Sequence, residues 1–129
     1  MKSIEFADGH VADIQHGRKT ATVRVDECEE IELGDRVMLE TESGLEIEQA
    51  KITSTVETFV GGALHAIRSL DAESPAESTV DLVYGLRNHY SPEIEGRTEC
   101  RVLCWELTEE ILPDLETIEA ERGVGETDA

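Results

Sequence analysis

Three of the chain's eleven basic residues lie close together in the segment QHGRKTATVRV, residues 15–25. Arg18, Lys19 and Arg24 fall within seven residues, and Thr22 adds a hydroxyl group among them. Cations grouped in this way can hold an anionic ligand or stabilise negative charge that develops during a reaction. Because the rest of the chain is strongly acidic, this local concentration of positive charge indicates the floor of a small cleft.

The overall composition is acidic, with thirty Asp and Glu residues, eleven Lys and Arg residues and a formal net charge of −19 at pH 7. Such a charge repels phosphate backbones and anionic membranes, and it destabilises the compact state unless counter-ions screen it. Only three of the cations are lysines, and an acidic, lysine-poor composition resembles that of halophilic proteins. We therefore expect the acidity to reflect a salt-rich solvent rather than the charge of a binding partner.

The 129 residues are enough for one compact domain with a buried core and too few for two ordinary domains. The sequence has no run of about 18 apolar residues and no apolar centre of a secretory signal near its start, so we expect a cytoplasmic protein that does not bind a membrane. Three cysteines without zinc-like spacing and four scattered histidines predict no metal site. We expect the cysteines to pack in the core, and we expect no cofactor.

The apolar pattern predicts both helices and strands. HVADIQHG is typical of a short helix that Gly17 ends, whereas TATVRV, RVMLE and LEIEQAKITSTVETF are typical of strands. The last of these has no cleanly apolar face, so we expect a bulge or bend within it. Two helices are then predicted, one over about residues 60–69 and one capped by Ser78 or Thr79, before a closing strand, ECRVLCWEL.

With the short apolar start at Ile4 and Phe6, and with the long strand counted as one or two, the chain has about five or six strands. Strands and helices mixed in this order predict an α+β protein or a small barrel. We expect residues 1–108 to form this domain. The remaining residues, 109–129, are predicted to be an acidic C-terminal tail that is partly helical or disordered.

The order of these segments resembles that of the activating-signal-cointegrator homology (ASCH) domain, a relative of the PUA-like barrels. The likeness covers roughly residues 6–107. Its most specific element is the pattern G-x-K-x-x-T-x-R, matched by Gly17, Lys19, Thr22 and Arg24 in GRKTATVR, and LGDRVMLE and a closing strand ending in CWEL follow in the expected order. The resemblance implies an α+β fold, a small PUA-like mixed β-barrel of about five or six strands with helices at one mouth.

The resemblance also implies a local basic cleft that binds RNA or a modified nucleoside, and this is the first function that we consider. A net charge of −19 requires such binding to be confined to a narrow basic mouth, which favours a nucleoside or nucleotide over long RNA. Tyr90 is expected to stack on a base there. The residues expected to bind the ligand are Arg18, Lys19, Thr20, Arg24 and Tyr90.

The alternative is an enzyme. One bacterial branch of the ASCH family consists of small amidohydrolases that deacetylate N4-acetylcytidine with the Lys and Thr of this pattern, for which Lys19 and Thr22 would be the counterparts. Thr22 would attack the amide carbonyl, Lys19 would accept its proton, and Arg24 or backbone N–H groups would hold the oxyanion. In a regular strand Lys19 and Thr22 lie on opposite faces, so Lys19 would have to lie in the turn after Gly17.

The third catalytic residue of that branch, a Glu, aligns with Pro75 here. Glu73 and Glu77 flank this position by two residues on either side, and either could protonate the departing amine. The intact Lys and Thr favour catalysis, whereas the missing aligned acid favours binding. An acidic protein-interaction module is a second alternative, but it would leave the cationic cluster unexplained.

Overall fold

The computed structural model describes residues 1–108, so the predicted C-terminal tail lies outside the described residues. Five strands and three helical segments follow one another as the sequence predicts, and together they form an α+β fold. None of the helices among the described residues is long and apolar enough to cross a membrane. The elements are β1 (Lys2–Phe6), a 3-10 turn (Asp8–His10) leading into α1 (Val11–Gln15), β2 (Ala21–Arg24), β3 (Arg36–Thr41), β4 (Glu46–Phe59), α2 (Val60–Ser69), α3 (Thr79–His89) and β5 (Glu99–Leu107).

The five strands form one mixed sheet in the order β1-β3-β4-β5-β2. β1 pairs parallel with β3, and the other neighbours pair antiparallel. The expected bulge is present in β4: Ile52 pairs with Trp105 but Ser54 pairs with Cys104, so one residue of β4 is extra. Such a bulge bends a strand, and the sheet curls into a half-barrel whose edge strands are β1 and β2.

Two clusters of buried apolar side chains hold the sheet and helices together. The first joins β1, α1, β3, the first half of β4 and the end of β5, and it includes Ile14 and Trp105. The second joins β2, β5, α2 and α3, and it includes Leu86, Cys100 and Cys104. Cys100 and Cys104 are therefore part of the core, as expected for reduced cysteines, whereas Cys28 is only partly buried against the first cluster.

The segment before α3 is fastened to the sheet by Thr20. The Thr20 N–H donates to the Glu73 carbonyl at 2.9 Å, and the Glu73 N–H donates to Thr20 Oγ1 at 2.8 Å. Of the two cap residues that the sequence predicts for α3, Ser78 is the one that caps it, because its Oγ accepts from the Asp81 N–H at 3.2 Å. The two bonds between Thr20 and Glu73 tie the segment before α3 to the residue that precedes β2.

Candidate functional site

A cavity of about 680 Å³ lies between the edge strands and α3. Its wall is formed by the end of β1, by residues of β2 and the turn before it, by residues 74–77, and by one side of α3. Cavities of about 300–1,000 Å³ are typical of sites for small molecules. Of the residues that the sequence predicts for the site, those lining the cavity are Lys19, Thr22, Arg24, Glu77 and Tyr90.

Lys19 lies in the turn between α1 and β2, before the strand begins. Gly17 in this turn has a φ of 78°, a left-handed conformation that suits glycine and ends a helix. The N–H groups of Arg18 and Lys19 both donate to the Asp13 carbonyl, at 2.8 and 3.1 Å. The turn therefore places Lys19 at the cavity, where the residue is only 7% exposed.

The Lys19 ammonium has few partners within the protein. Among residues 1–108 its Nζ donates to the Ala21 carbonyl at 2.9 Å and makes no ion pair. It also lies 5.8 Å from the centroid of the Phe6 ring. Burial, and to a lesser extent the nearby Arg24 charge, lowers the pKa of Lys19 from its usual 10.5 to about 8. Lys19 is therefore a neutral amine above about pH 8, and in that form it can accept a proton.

Arg24 connects the two edges of the half-barrel. Its Nη2 donates to the Glu5 carbonyl in β1 at 2.7 Å, and its Cζ lies 4.8 Å from the centroid of the Phe6 ring. Its Nε donates to Thr22 Oγ1 at 3.3 Å. A hydroxyl that accepts a hydrogen bond keeps its own proton to donate elsewhere. β2 thus places a hydroxyl and a guanidinium side by side in the cavity wall, and both residues are 6% exposed.

The two candidate acids occupy different places. Pro75 and Glu77 line the cavity, whereas Glu73 is not part of its wall, although both glutamates are exposed. The Glu73 N–H donates to the Thr20 hydroxyl, so this hydroxyl already has a partner within the protein. Thr20, like Glu73, is not part of the cavity wall. The geometry therefore favours Glu77 over Glu73 as the acid of the site.

Arg18 does not line the cavity either. Its Nε donates to Asp13 Oδ1 at 2.8 Å, and its side chain is 58% exposed. An ion pair as exposed as this contributes about 0–1 kcal/mol to stability. The cationic cluster of the sequence is thus divided by the fold into a surface ion pair at Arg18 and two buried cations, Lys19 and Arg24, at the cavity.

Tyr90 follows α3 and lines the cavity, and its hydroxyl donates to Glu27 Oε2. The same carboxylate oxygen lies 3.7 Å from Nη1 of Arg24. Glu27 was not predicted from the sequence, because a single carboxylate among thirty acidic residues carries no distinguishing pattern. Only the fold brings Glu27 and Tyr90, which are 63 residues apart, into contact.

The wall of the cavity is of mixed charge. Beside Lys19 and Arg24 it includes three acidic residues, Glu5, Glu77 and Asp81. The lysine and arginine of the wall therefore both belong to β2 and its preceding turn, while two histidines, His10 and His89, lie elsewhere in the wall. Such a cavity suits a ligand that carries both hydrogen-bond acceptors and donors better than it suits a polyanion.

Solved structures resemble this fold, although no protein-family model and no curated protein matches the sequence. The hypothetical protein PH0355 is similar at 18% identity with a TM-score of 0.63, over 84% of this chain and 100% of that one. The ASCH domain from Lactobacillus crispatus is similar at 14% identity with a TM-score of 0.62, over 82% of this chain and 78% of that one. The chain has the fold of an ASCH domain. An ASCH protein from Zymomonas mobilis has the same fold at 16% identity, with a TM-score of 0.57 over 81% of this chain and 66% of that one.

Replacing Lys19 by methionine should stabilise this ASCH-like domain at neutral pH. Lys19 loses its proton near pH 8 in the folded protein but only near pH 10.5 in the unfolded chain. Below pH 8 the buried charge therefore lowers the free energy of unfolding by roughly 3 kcal/mol. Methionine has a similar length and no charge. We expect the free energy of unfolding at pH 7 to rise by about 1–3 kcal/mol, since the lost hydrogen bond to Ala21 offsets part of the gain.

Urea unfolding at several pH values measures this effect. The gain in the free energy of unfolding should shrink as the pH rises from about 8 to about 10.5. In this range Lys19 of the folded parent is neutral and no longer destabilises it. Lys51→Met, which removes an exposed lysine, is the matched control and should change stability little at any pH. A loss of stability in Lys19→Met at pH 7 would contradict the burial of an uncompensated cation.

Proposed function

We propose that the protein binds a nucleoside-sized ligand, of the class that includes modified nucleosides, in the cavity beside α3. The observation that carries this proposal is the burial of Lys19, Thr22 and Arg24 in one cavity wall. Buried polar groups cost folding free energy unless they find hydrogen-bond partners. An ammonium has three N–H donors, and the structure gives that of Lys19 one acceptor within residues 1–108. A bound ligand would supply the others.

The charges of the wall favour a nucleoside over a nucleic acid strand. Strand binding depends on many cations that neutralise successive phosphates, whereas this cavity combines two cations with three acidic residues in a protein of net charge −19. The edge of a pyrimidine base offers a carbonyl to Lys19 or Arg24 and an amine to Glu77. The Tyr90 ring adds a face on which a base can stack. An RNA would bind through one unpaired nucleotide rather than along its backbone.

Calorimetric titration of cytidine, N4-acetylcytidine and cytidine 5′-monophosphate, in molar KCl to screen the net charge, tests this proposal. A nucleoside should bind, and the added phosphate should not tighten its binding. Lys19→Met and Thr22→Val should each weaken binding by about tenfold, the equivalent of one hydrogen bond. Arg18→Met and Glu73→Gln, which change exposed residues outside the wall, should bind like the parent. Much tighter binding of the monophosphate, or losses in the two controls, would contradict a nucleoside site in this cavity.

A second candidate function is hydrolysis of the acetyl amide of N4-acetylcytidine. It is favoured by one observation: a lysine with a pKa lowered to about 8, a threonine hydroxyl and a carboxylic acid residue all line the same cavity. Thr22 Oγ1 would attack the amide carbonyl while neutral Lys19 takes its proton, and Arg24 would stabilise the oxyanion. The proton would return to the departing cytosine amine, directly or through Glu77, and water would then hydrolyse the acetyl-threonine ester.

Conversion of N4-acetylcytidine to cytidine and acetate, followed by chromatography, tests this second candidate. The rate should rise with pH through about 8, because Lys19 must be neutral to act as the base. Glu77→Gln should lower kcat/KM by about 10²-fold or more, and Thr22→Val should abolish turnover. The matched variant Glu73→Gln should leave turnover unchanged. Binding without turnover in the parent would assign a binding role alone, and equal losses in the two Glu variants would refute the assignment of Glu77.

A further inference from the structure

Glu27 connects two walls of the cavity without lining the cavity itself. Its Oε2 accepts a hydrogen bond from the Tyr90 hydroxyl at the end of α3. The same oxygen lies 3.7 Å from Nη1 of Arg24 on β2. One carboxylate oxygen therefore holds a side chain from the helical wall and a side chain from the sheet wall at the same point.

The backbone on both sides of Glu27 is in a costly conformation. Asp26 has a φ of 59° and Cys28 a φ of 65°, which is the left-handed region that disfavours residues with a Cβ atom. Strained backbone of this kind persists where the surrounding structure holds it, and it concentrates at functional sites. Here Arg101 holds the turn, because its Nη1 donates to the Cys28 carbonyl at 2.6 Å.

The contact with Glu27 also decides what Tyr90 can offer to a ligand. Burial, followed by the hydrogen bond to Glu27, raises the pKa of the Tyr90 phenol, so Tyr90 stays neutral. Its one O–H proton is donated to Glu27 and is not available to a ligand. What remains for a ligand is the face of the ring and a lone pair on the phenol oxygen.

From this geometry we infer that Glu27 is a positioning residue of the ligand site: it fixes the Tyr90 ring relative to Arg24 and thereby sets the gap into which a planar base fits. The inference rests on the function proposed above. It names a residue that touches no ligand and acts through two residues that do. The experiment therefore needs one readout that requires no ligand and a second that does.

The ligand-free readout is the NMR signal of tyrosine labelled with ¹³C at Cζ, which is sensitive to hydrogen bonding of the phenol. The chain has two tyrosines, so the variant Tyr84→Phe, on the exposed side of α3, assigns both signals. Glu27→Gln should shift the Tyr90 signal. Glu29→Gln, which removes an exposed carboxylate of the same turn, should leave it unchanged. An unshifted Tyr90 signal in Glu27→Gln would overturn the inference whether or not any ligand binds.

The second readout is the affinity for cytidine. Glu27→Gln and Tyr90→Phe should each weaken cytidine binding by about threefold to tenfold. The double variant should bind cytidine as well as the more impaired of the two single variants, because both changes remove the same contact. Glu29→Gln and Tyr84→Phe should bind like the parent. Additive losses, or parent-like binding by Glu27→Gln, would overturn the positioning role. If the parent fails to bind cytidine, the proposed function fails, and the Tyr90 signal still decides whether Glu27 fixes this ring.

Discussion

The burial of the Lys19 ammonium is the constraint on which the site depends. In a chain of net charge −19 a surface cation readily finds a carboxylate, as Arg18 does with Asp13. Lys19 is instead 7% exposed and is hydrogen-bonded to the Ala21 carbonyl. The cost of removing this charge from water lowers the pKa of Lys19 to about 8. With this lowered pKa the Lys19 amine can change its protonation state near physiological pH, and groups with shifted pKa values are common in functional sites.

The open side of the half-barrel gives this cation a cavity to face. β1 and β2 are edge strands, and Arg24 joins them with a side-chain hydrogen bond to Glu5 rather than with a ladder of backbone bonds. α3 covers this gap and completes the cavity wall. Glu27 then ties Tyr90, at the end of α3, to Arg24. The cavity therefore lies where the sheet does not close, and the buried Arg24 side chain bridges the two edge strands there.

Local signals in the sequence predicted most of the helices and strands, because a helix cap such as Ser78 and runs of β-branched residues act over short distances. How the strands curl into a half-barrel was implied only by the resemblance to the ASCH family. The site was predictable only in part. Arg18 and Lys19 are adjacent and equally basic, and only the turn after α1 decides which of them is buried. Glu73 and Glu77 are equally far from Pro75 in sequence, and the choice between them depends on the bonds from Thr20 to Glu73, which span 53 residues. Contacts between distant segments leave no periodic pattern in a single sequence.

An NMR titration of the lysine Cε signals tests the central claim most directly. The chain has three lysines, and the exposed Lys2 and Lys51 serve as internal references. Pairing with Asp35 holds the pKa of Lys2 above its usual value. We expect the signal that is lost in Lys19→Met to titrate near pH 8 rather than at the usual 10.5 of a lysine. A Lys19 signal that titrates near pH 10.5 would show that Lys19 is solvated, and the site would then contain no buried cation.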